Sequence, residues 1–261
     1  MRSAALLVFA AGLSLSGQTL HFALIGDRTG EHVPGIYEQV WKNVAAENPA
    51  FVLSVGDTIE GEHDATAESE WQQVLKGLPG LPLYLTPGNH DIWSPLSETL
   101  YRRYSKHDLH YSFDAGPAHF TILDNSRSDA LPAAEMTFLE EDLKAHGAQP
   151  VKFVISHRPS WLINATLGDA SFPLHQLAKK YGVRYVIAGH LHEMLHSELG
   201  GVHYVSMASA GGHLRATRKY EDGWFFGYAT VDVTSSGAIF KIHELNGRTT
   251  TLEDWGKSGL K

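Results

Sequence analysis

The amino-acid sequence predicts an α/β fold in which helices lie outside a sheet that contains parallel strands. Short β-branched and aromatic runs alternate along the chain with segments whose apolar residues recur every three or four positions. Strands that alternate with helices are typical of a parallel sheet. Two pairs of apolar runs joined by turn residues indicate hairpins, and these favour a second sheet that is largely antiparallel.

The strands are predicted from apolar runs that end abruptly at glycine or at polar residues. Seven such runs occur, at residues 20–25, 51–55, 83–86, 120–123, 153–156, 185–188 and 202–207. The two hairpins are predicted between residues 111–113 and 120–123, and between residues 225–233 and 238–243. Glycine, proline and serine between the paired runs supply the turns.

Four helices are predicted in the gaps between the strands. In the first gap, Ile36, Val40 and Val44 recur at four-residue spacing and therefore share one helical face. The second helix is indicated by the apolar set at residues 71–78, and the fourth by residues 175–181. The third is predicted to begin at Pro132 and to end at Gly147.

The bulk composition limits the kinds of protein that this chain can be. Its 261 residues, 43% of them hydrophobic, suffice for one large domain with its own core. A formal net charge of -8 argues against a general nucleic-acid binder, so we expect no nucleic-acid partner. There are no cysteines, so a metal site must use His, Asp, Glu or Asn, and 16 histidines are available.

The first 17 residues have the pattern of a signal peptide, with a first buried strand or a short anchor as the alternatives. Arg2 gives a positive start, an apolar run follows from Ala4 to Leu13, and small residues end at Gly17. The run is shorter than the ~20 apolar residues that a bilayer span needs. We therefore expect export to the periplasm or the medium, a mature protein without a membrane span, and one domain at residues 18–261.

Five of the predicted strands end at clusters of polar residues. In chain order these clusters supply Asp27, Asp57, Asn89 with His90, His157, and His190 with His192. Ligand sites in open α/β sheets form where the carboxyl ends of the strands meet, so we expect these side chains to converge. Carboxylate, amide and imidazole donors suit Zn, Mn, Fe or similar ions. A carboxylate that bridges two ions suits an in-line phosphoryl displacement.

The pair His190 and His192 is predicted to serve two different ions. Side chains alternate across an extended chain, so the two rings would point in opposite directions. Each polar cluster alone is more typical of a turn, and a single histidine such as His157 is more typical of a structural residue. The combination, in this order, is what indicates a metal site.

The order D…GDxxxG…GNHD…H…GHxH, from Asp27 to His192, resembles the calcineurin-like metallophosphoesterase superfamily. This resemblance implies a four-layer α/β/β/α sandwich with two divalent or trivalent metal ions, of which Mn, Zn, Fe, Mg and Ca all remain open. His90 would lie beside the metals and meet the leaving group or the phosphate. The implied ligands are Asp57 as the bridge, Asn89, His157 and His190 for one ion, and Asp27 and His192 for the other.

The first motif departs from the family pattern. Many members have Asp-x-His there, with the histidine as a ligand, whereas this chain has Thr29. The Asp27 site therefore lacks one imidazole. Either a water, the Thr29 hydroxyl or a nearby carboxylate completes it, or the site binds its ion weakly.

Glu60 lies three residues after Asp57, where the resemblance offers two roles. Purple acid phosphatases place a tyrosine ligand there, and protein serine/threonine phosphatases place a carboxylate that pairs with the histidine of the Asn-His motif. We expect the Glu60 carboxylate to orient and polarise His90. A metal ligand and a solvated surface acid are the alternatives.

Arginines near the motifs are candidates for phosphate binding, because a guanidinium can contact two phosphate oxygens at once. Arg28 is assigned to the substrate together with Asn89, Arg158 is expected to be structural, and Arg215 is left open. The remaining histidines fit no ligand spacing and are expected to be structural or exposed: His107, His110, His119, His146 and His196.

These residues together predict a metal-dependent hydrolase of small phosphoesters, either monoesters or diesters. Two alternatives are a nuclease, which the acidic composition disfavours, and a non-catalytic metal-binding member of the fold. The presence of His90 disfavours the second alternative, because metal binding does not require that residue.

Overall fold

Twelve strands and seven α-helices form the part of the chain that the computed structural model describes, residues 19–258. In chain order the strands are β1 (Leu20–Ile25), β2 (Val52–Ser54), β3 (Leu83–Leu85), β4 (Tyr111–Ala115), β5 (Ala118–Ile122), β6 (Val151–Ile155), β7 (Tyr185–Ala188), β8 (Leu195–Leu199), β9 (Val202–Ser206), β10 (Gly227–Thr234), β11 (Gly237–Glu244) and β12 (Thr249–Thr251). The helices are α1 (Ile36–Ala46), α2 (Asp64–Lys76), α3 (Pro95–Ser105), α4 (Ala133–Ala145), α5 (Leu162–Leu167), α6 (Pro173–Tyr181) and α7 (Leu252–Ser258). The expected leader at residues 1–17 lies outside the described residues.

The strands form two six-stranded sheets, each of which mixes parallel and antiparallel pairs. The first has the order β12-β11-β10-β1-β2-β3, and the second has the order β4-β5-β6-β7-β9-β8. The expected division into a parallel sheet and a largely antiparallel one is therefore wrong. The hairpin β4–β5 forms one edge of the second sheet, whereas the hairpin β10–β11 extends the first sheet because β10 pairs antiparallel with β1.

The two sheets pack face to face and helices cover their outer faces, which confirms the four-layer α/β/β/α sandwich. Between the sheets, the Phe22 ring of β1 meets the rings of Phe120 and Phe153 edge to face, with centroids 5.2 and 5.7 Å away. Trp41 and Trp71 from α1 and α2 are buried against the outer face of the first sheet. Because both faces of the central strands are covered, those strands appear in the sequence as continuous apolar runs.

Helix α3 was not predicted, and it supports the loop that follows β3. It begins with a capping box, in which the Ser94 hydroxyl accepts from Ser97 N at 3.2 Å and the Ser97 hydroxyl accepts from Ser94 N at 2.8 Å. The Tyr101 hydroxyl of α3 then donates to the Leu85 carbonyl at the end of β3, at 2.6 Å. No helix within residues 19–258 has the length and apolar character needed to cross a bilayer.

Candidate metal centre

Five strand-end loops carry the predicted site residues to one edge of the sandwich. The loops follow β1, β2 and β3 in the first sheet and β6 and β7 in the second. Within each sheet these strands are parallel, so their carboxyl ends meet at the same edge. Two contacts join the sheets there: His190 N donates to Asp27 Oδ2 at 2.9 Å, and His157 Nδ1 donates to the Val55 carbonyl at 2.9 Å.

Asp57, Asn89, His157 and His190 form one cluster of donor atoms. His157 Nε2 lies 3.2 Å from Asp57 Oδ2 and 3.1 Å from Asn89 Oδ1. His190 Nδ1 lies 3.3 Å from His157 Nε2. One donor atom from each of Asp57, His157 and His190 lies within 4.8 Å of the other two, which is a spacing that a single ion can bridge.

Asp27 and His192 form a second pair beside that cluster. Both side chains are fully buried, and His192 Nε2 lies 3.4 Å from Asp27 Oδ2. His192 Nδ1 donates to the His213 carbonyl at 2.7 Å, so the lone pair is on Nε2. That Nε2 is a buried nitrogen without a hydrogen-bond partner. The structure thus brings together all six residues that were predicted as ligands.

The backbone is left-handed at three of the predicted ligands. The φ angle is 55° at Asp57, 69° at His190 and 63° at His192. Residues other than glycine adopt this region rarely, and such strain is typical of functional sites. The expected extended conformation of His190 and His192 is therefore wrong. A turn after β7, instead of strand alternation, directs one ring towards His157 and the other towards Asp27.

Glycines leave the space that the carboxylate and imidazole groups occupy. A Cβ atom at Gly88 would lie 2.2 Å from Asp57 Oδ1, and a Cβ atom at Gly212 would lie 2.5 Å from His192 Cε1. Both separations are far below van der Waals contact, so a larger residue at either position would displace a predicted ligand.

Asp57 and His157 each stabilise the charged form of the other. Burial raises the pKa of Asp57, but His157 and His90 together outweigh burial and hold this pKa well below its usual range. Burial likewise lowers the pKa of His157, but Asp57, Asp27 and the Val55 carbonyl together outweigh it and raise this pKa to about 9. Burial, His157 and Arg158 together lower the pKa of His190 to about 4. The cluster therefore favours one positive charge beside Asp57, and a metal cation can supply that charge in place of the proton.

Asp91 holds in place the loops that carry Asp57 and Asn89, although no role for it was predicted from the sequence. Its buried carboxylate accepts hydrogen bonds from Asp57 N at 2.8 Å, Thr58 N at 2.9 Å and Gly88 N at 3.0 Å. Burial and the charge of Asp57 raise the pKa of Asp91 to about 6 despite these bonds. The carboxylate ties the turn after β2 to the turn after β3. In the sequence, the sign of this role was the position of Asp91 as the last residue of the Gly-Asn-His-Asp motif.

His90 is oriented by the main chain and not by a carboxylate. His90 Nδ1 donates to the backbone carbonyl of Glu60 at 2.6 Å. The Glu60 carboxylate instead accepts from His32, 2.6 Å from its Nδ1 and 3.0 Å from its backbone N. The expected pairing of the Glu60 side chain with His90 is thus corrected, because His32 occupies that carboxylate. No motif in the sequence indicated His32.

Thr29 is fully buried close to His192. Its hydroxyl lies near the Glu60 carboxylate but has no hydrogen-bond partner of normal geometry. Burial raises the pKa of Glu60, but the Thr29 hydroxyl and His32 outweigh it and keep this pKa below its usual value. A buried hydroxyl without a partner is unfavourable, so the Thr29 oxygen is available to a bound ion or water.

A polar cavity of about 600 Å³ lies beside His90. The residues that line it are Gly30, Glu31, Glu60, Gly61, Glu62, His63, His90, His213 and Arg215. Arg215, whose role the sequence left open, is therefore in a position to meet a substrate. The cavity is bounded by the loops after β1, β2 and β3 and by the loop that carries His213.

Arg28 and Arg158 lie outside that lining. Arg28 lines a separate cavity of about 180 Å³, and its guanidinium carbon lies 5.7 Å from the centroid of the Tyr37 ring. The contact of Arg28 with the substrate therefore stays a prediction. Arg158 donates to Asp129 at 2.7 Å and to the Ser126 carbonyl at 3.2 Å, and its Nη1 also lies 3.3 Å from Nε2 of the predicted ligand His190.

The donor set fits metal ions. The imidazoles of His157 and His192 each donate through Nδ1 to a carbonyl, which fixes the tautomer and leaves Nε2 as the donor atom, as is usual for metal-binding histidines. The buried carboxylates of Asp27 and Asp57 supply the negative charge that a cation needs. Oxygen and nitrogen donors of this kind suit Mn, Zn, Fe and related ions.

Several solved structures share this fold. A purple acid phosphatase from yellow lupin seeds is 16% identical, with a TM-score of 0.65, over 89% of this chain and 53% of that chain. GAP50, described as the anchor in the inner membrane complex of Plasmodium, is 16% identical with a TM-score of 0.65, over 90% of this chain and 88% of that chain. At these identities the likeness concerns the fold alone.

Relatives are also similar in sequence. Purple acid phosphatase 23 of Arabidopsis thaliana is 25% identical over 65% of this chain and 40% of the relative. A 3',5'-cyclic-nucleotide phosphodiesterase of Nostoc sp. is 25% identical over 61% of this chain and 62% of the relative. This chain therefore matches less than two thirds of the length of either relative.

The family model of the calcineurin-like phosphoesterases matches residues 20–194. That range contains all five strand-end motifs and every predicted ligand. The chain belongs to the calcineurin-like phosphoesterase family.

Proposed function

We propose that this chain hydrolyses small phosphoesters at a centre of two metal ions. The observation that carries the proposal is the convergence of six nitrogen and oxygen side chains on two adjacent positions, with His90 beside them. The residues proposed for one ion are Asp57, Asn89, His157 and His190, and those for the other are Asp27, His192 and the shared Asp57. The names of the relatives, a phosphatase and a cyclic-nucleotide phosphodiesterase, support the same reaction class.

Bound ions would polarise a phosphoryl oxygen and make a nearby water molecule more acidic. Once that water has released a proton to solvent, its oxygen forms a bond to phosphorus as the ester P–O bond breaks. His90 is the proposed acid: its Nδ1–H is held by the Glu60 carbonyl, so a protonated ring gives its Nε2 proton to the departing oxygen. Loss of that proton leaves the neutral tautomer that the carbonyl already favours.

The cavity beside His90 supports a small substrate. Arg215 in its lining can pair with phosphate oxygens. Glu31, Glu60 and Glu62 in the same lining would repel the many phosphates of a nucleic-acid strand. A compact monoester or diester carries fewer charges and meets less of this repulsion.

The test compares wild type with His90→Ala, after metal content has been measured by elemental analysis. We expect His90→Ala to retain its metal and to lose about 10²–10⁴-fold in turnover of alkyl phosphoesters. The loss should be smaller for nitrophenyl esters, whose leaving groups need no proton. His63→Ala is the matched control, because His63 lines the same cavity but is not held by the Glu60 carbonyl.

Other outcomes of this test would contradict the proposal. Metal without turnover of any monoester or diester would indicate a non-catalytic metal-binding member of the family. Turnover of DNA alone would indicate a nuclease. An equal loss for alkyl and nitrophenyl esters would show that His90 serves the phosphate and not the leaving group.

A further inference from the structure

A group of histidine and aspartate side chains lies at the other end of the second sheet from the proposed centre. Asp114 in β4 and His119 in β5 are cross-strand partners, and Asp142 and His146 lie at the carboxyl end of α4. We call these four residues the edge cluster. His119 lies near the amino end of β5, whereas the predicted ligands follow the carboxyl ends of the parallel strands. The edge cluster is therefore separate from the proposed centre.

Asp142 holds both imidazole rings of the edge cluster. Its Oδ2 accepts from His119 Nε2 at 2.8 Å, and its backbone carbonyl accepts from His146 Nδ1 at 2.9 Å. The carboxylate is itself fixed by the hydroxyls of Ser112 at 2.7 Å and Thr121 at 2.6 Å. One nitrogen of each ring is thus committed to Asp142, which leaves His119 Nδ1 and His146 Nε2 for another partner.

Asp114 brings a carboxylate to the remaining nitrogen of His119. Its Oδ1 lies 2.7 Å from His119 Nδ1, and one donor atom from each of Asp114, His119 and His146 lies within 4.8 Å of the other two. The His119 side chain is fully buried, whereas Asp114 and His146 are 43% and 35% exposed. A cation can therefore reach the group from solvent and replace the proton between Asp114 and His119.

We propose that the edge cluster is a second metal-binding site, with Asp114, His119 and His146 as ligands of one Zn²⁺, Ni²⁺ or similar ion. Two imidazoles and one carboxylate suit such ions, and waters complete the coordination. Mg²⁺ and Ca²⁺ prefer oxygen donors and fit poorly. The Asp142 carboxylate, bound to the other nitrogen of His119, would orient that ring towards the ion.

Coordination by both rings requires one local adjustment. The rings of His119 and His146 stack with centroids 4.0 Å apart and planes at 16°. Imidazole lone pairs lie in the ring plane, so parallel rings cannot point at the same ion. His146 must tilt out of the stack, and its partly exposed position just after α4 leaves room for that movement.

The experiment titrates Zn²⁺ into the dialysed full-length protein by calorimetry, with elemental analysis of the product. Wild type is expected to bind one more ion per chain than either His146→Gln or Asp114→Asn. The control is His110→Gln, because His110 is also partly exposed and also pairs with a carboxylate, Glu135, at 2.8 Å. We expect His110→Gln to bind as many Zn²⁺ ions as wild type, and Mg²⁺ titrations to show no difference among the four proteins.

Equal Zn²⁺ stoichiometry in wild type, His146→Gln and Asp114→Asn would overturn the proposal and leave the edge cluster as an ion-paired network. A second measurement covers the case in which a variant is poorly folded. In an Asp57→Ala background, Zn²⁺ should still raise Tm, and adding His146→Gln should abolish that rise. If Zn²⁺ did not raise the Tm of Asp57→Ala at all, the proposal of a second metal site would also be overturned. Neither readout depends on phosphoester turnover.

Discussion

At the scale of single residues, the role of the Thr29 hydroxyl in the proposed centre can be tested directly. That hydroxyl is buried near the Glu60 carboxylate, two residues from Asp27, without a hydrogen-bond partner of normal geometry. Thr29→Val has almost the same shape but removes the oxygen. If the hydroxyl contacts the ion or its water, the variant should bind the second metal ion at least about tenfold more weakly, which corresponds to ~1.4 kcal/mol. Calorimetric titration of metal into dialysed protein measures the loss.

The metal-free form of the same variant provides the control. A buried hydroxyl without a well-formed hydrogen bond contributes little to stability, so metal-free Thr29→Val should lie within about 0.5 kcal/mol of metal-free wild type in urea. Unchanged binding of both ions would show that Thr29 takes no part in the centre. Tighter binding of the second ion by Thr29→His would support the view that this position lacks a ligand.

Glu60 gives a second test at this scale, because only its backbone contacts His90. Glu60→Gln keeps the carbonyl that orients the ring and changes only the side chain that pairs with His32. We expect kcat to change by less than about threefold, well under 1 kcal/mol in the barrier. Steady-state kinetics on an alkyl phosphoester, with His32→Gln alongside, checks this. If Glu60→Gln lowered kcat as much as His90→Ala does, the Glu60 carboxylate would be the functional partner of His90 after all.

The sequence predicted which residues meet at the centre, but not how they are held. Apolar runs that end at glycine and a polar side chain are local signals, and they identified His190 and His192. The left-handed turn that directs those two rings apart depends on the backbone of residues packed around it, and strand periodicity gives no sign of it. The partner of Glu60 likewise lies 28 residues away, at a position without any motif.

At the scale of elements, α3 connects the stability of the fold to the loop that carries Asn89 and His90. The Ser94 hydroxyl accepts from Ser97 N and donates to Asp64 Oδ1 at 2.6 Å, so it joins the first turns of α2 and α3. Ser94→Ala removes both bonds, and we expect a loss of about 1–2 kcal/mol in the free energy of unfolding. Urea denaturation measures it.

Thr99→Ala is the matched control for the cap. Thr99 is exposed in the same helix, and its hydroxyl donates only to the Pro95 carbonyl. Alanine favours the helix at such a position, so stability should change by less than about 0.5 kcal/mol. An equal effect of the two substitutions would show that the cap does not stabilise α3.

The elements that the sequence missed share a physical cause. Strands such as β2 and β7 are buried along their whole length and consist mainly of apolar residues. By contrast, no residue of β8 is fully buried, and β12 consists of three threonines. In α3 the helical signal lies mainly in the Ser-Pro start, because its charged outer face leaves few apolar positions. The assignment of hairpins to sheets was wrong because β10 pairs with β1, about 200 residues away.

At the scale of the whole molecule, the proposed centre joins two sheets that otherwise meet through apolar packing. Asp27 and Asp57 follow strands of the first sheet, and His157 and His190 follow strands of the second. Ions bound between them would therefore connect the two halves of the sandwich. Because binding to the folded state alone adds stability, metal removal should lower Tm as well as activity.

The response to acid is also a property of the whole molecule, since half-buried histidines such as His196 and His203 are held neutral in the fold. Burial and the neighbouring His203 lower the pKa of His196 to about 4, and burial also lowers the pKa of His203. Both histidines take up a proton near pH 6.5 in the unfolded chain. As pH falls from 6.5 towards 4 the unfolded state therefore binds more protons than the folded state, and stability falls. Below about 4 His196 is protonated in both states and contributes no further loss.

Substitution of His196 isolates this effect from the other titrating groups. In metal-free protein, where release of ions plays no part, His196→Gln should lose less stability than wild type between pH 6 and 5. Side chains that are partly exposed are screened by solvent, so we expect a difference on the order of 0.5–1 kcal/mol per pH unit, below the 1.4 kcal/mol limit for one proton. Urea denaturation at a series of pH values gives both slopes. Parallel slopes would mean that His196 already takes up its proton in the folded state near pH 6.5, and that acid destabilises the sandwich through other groups.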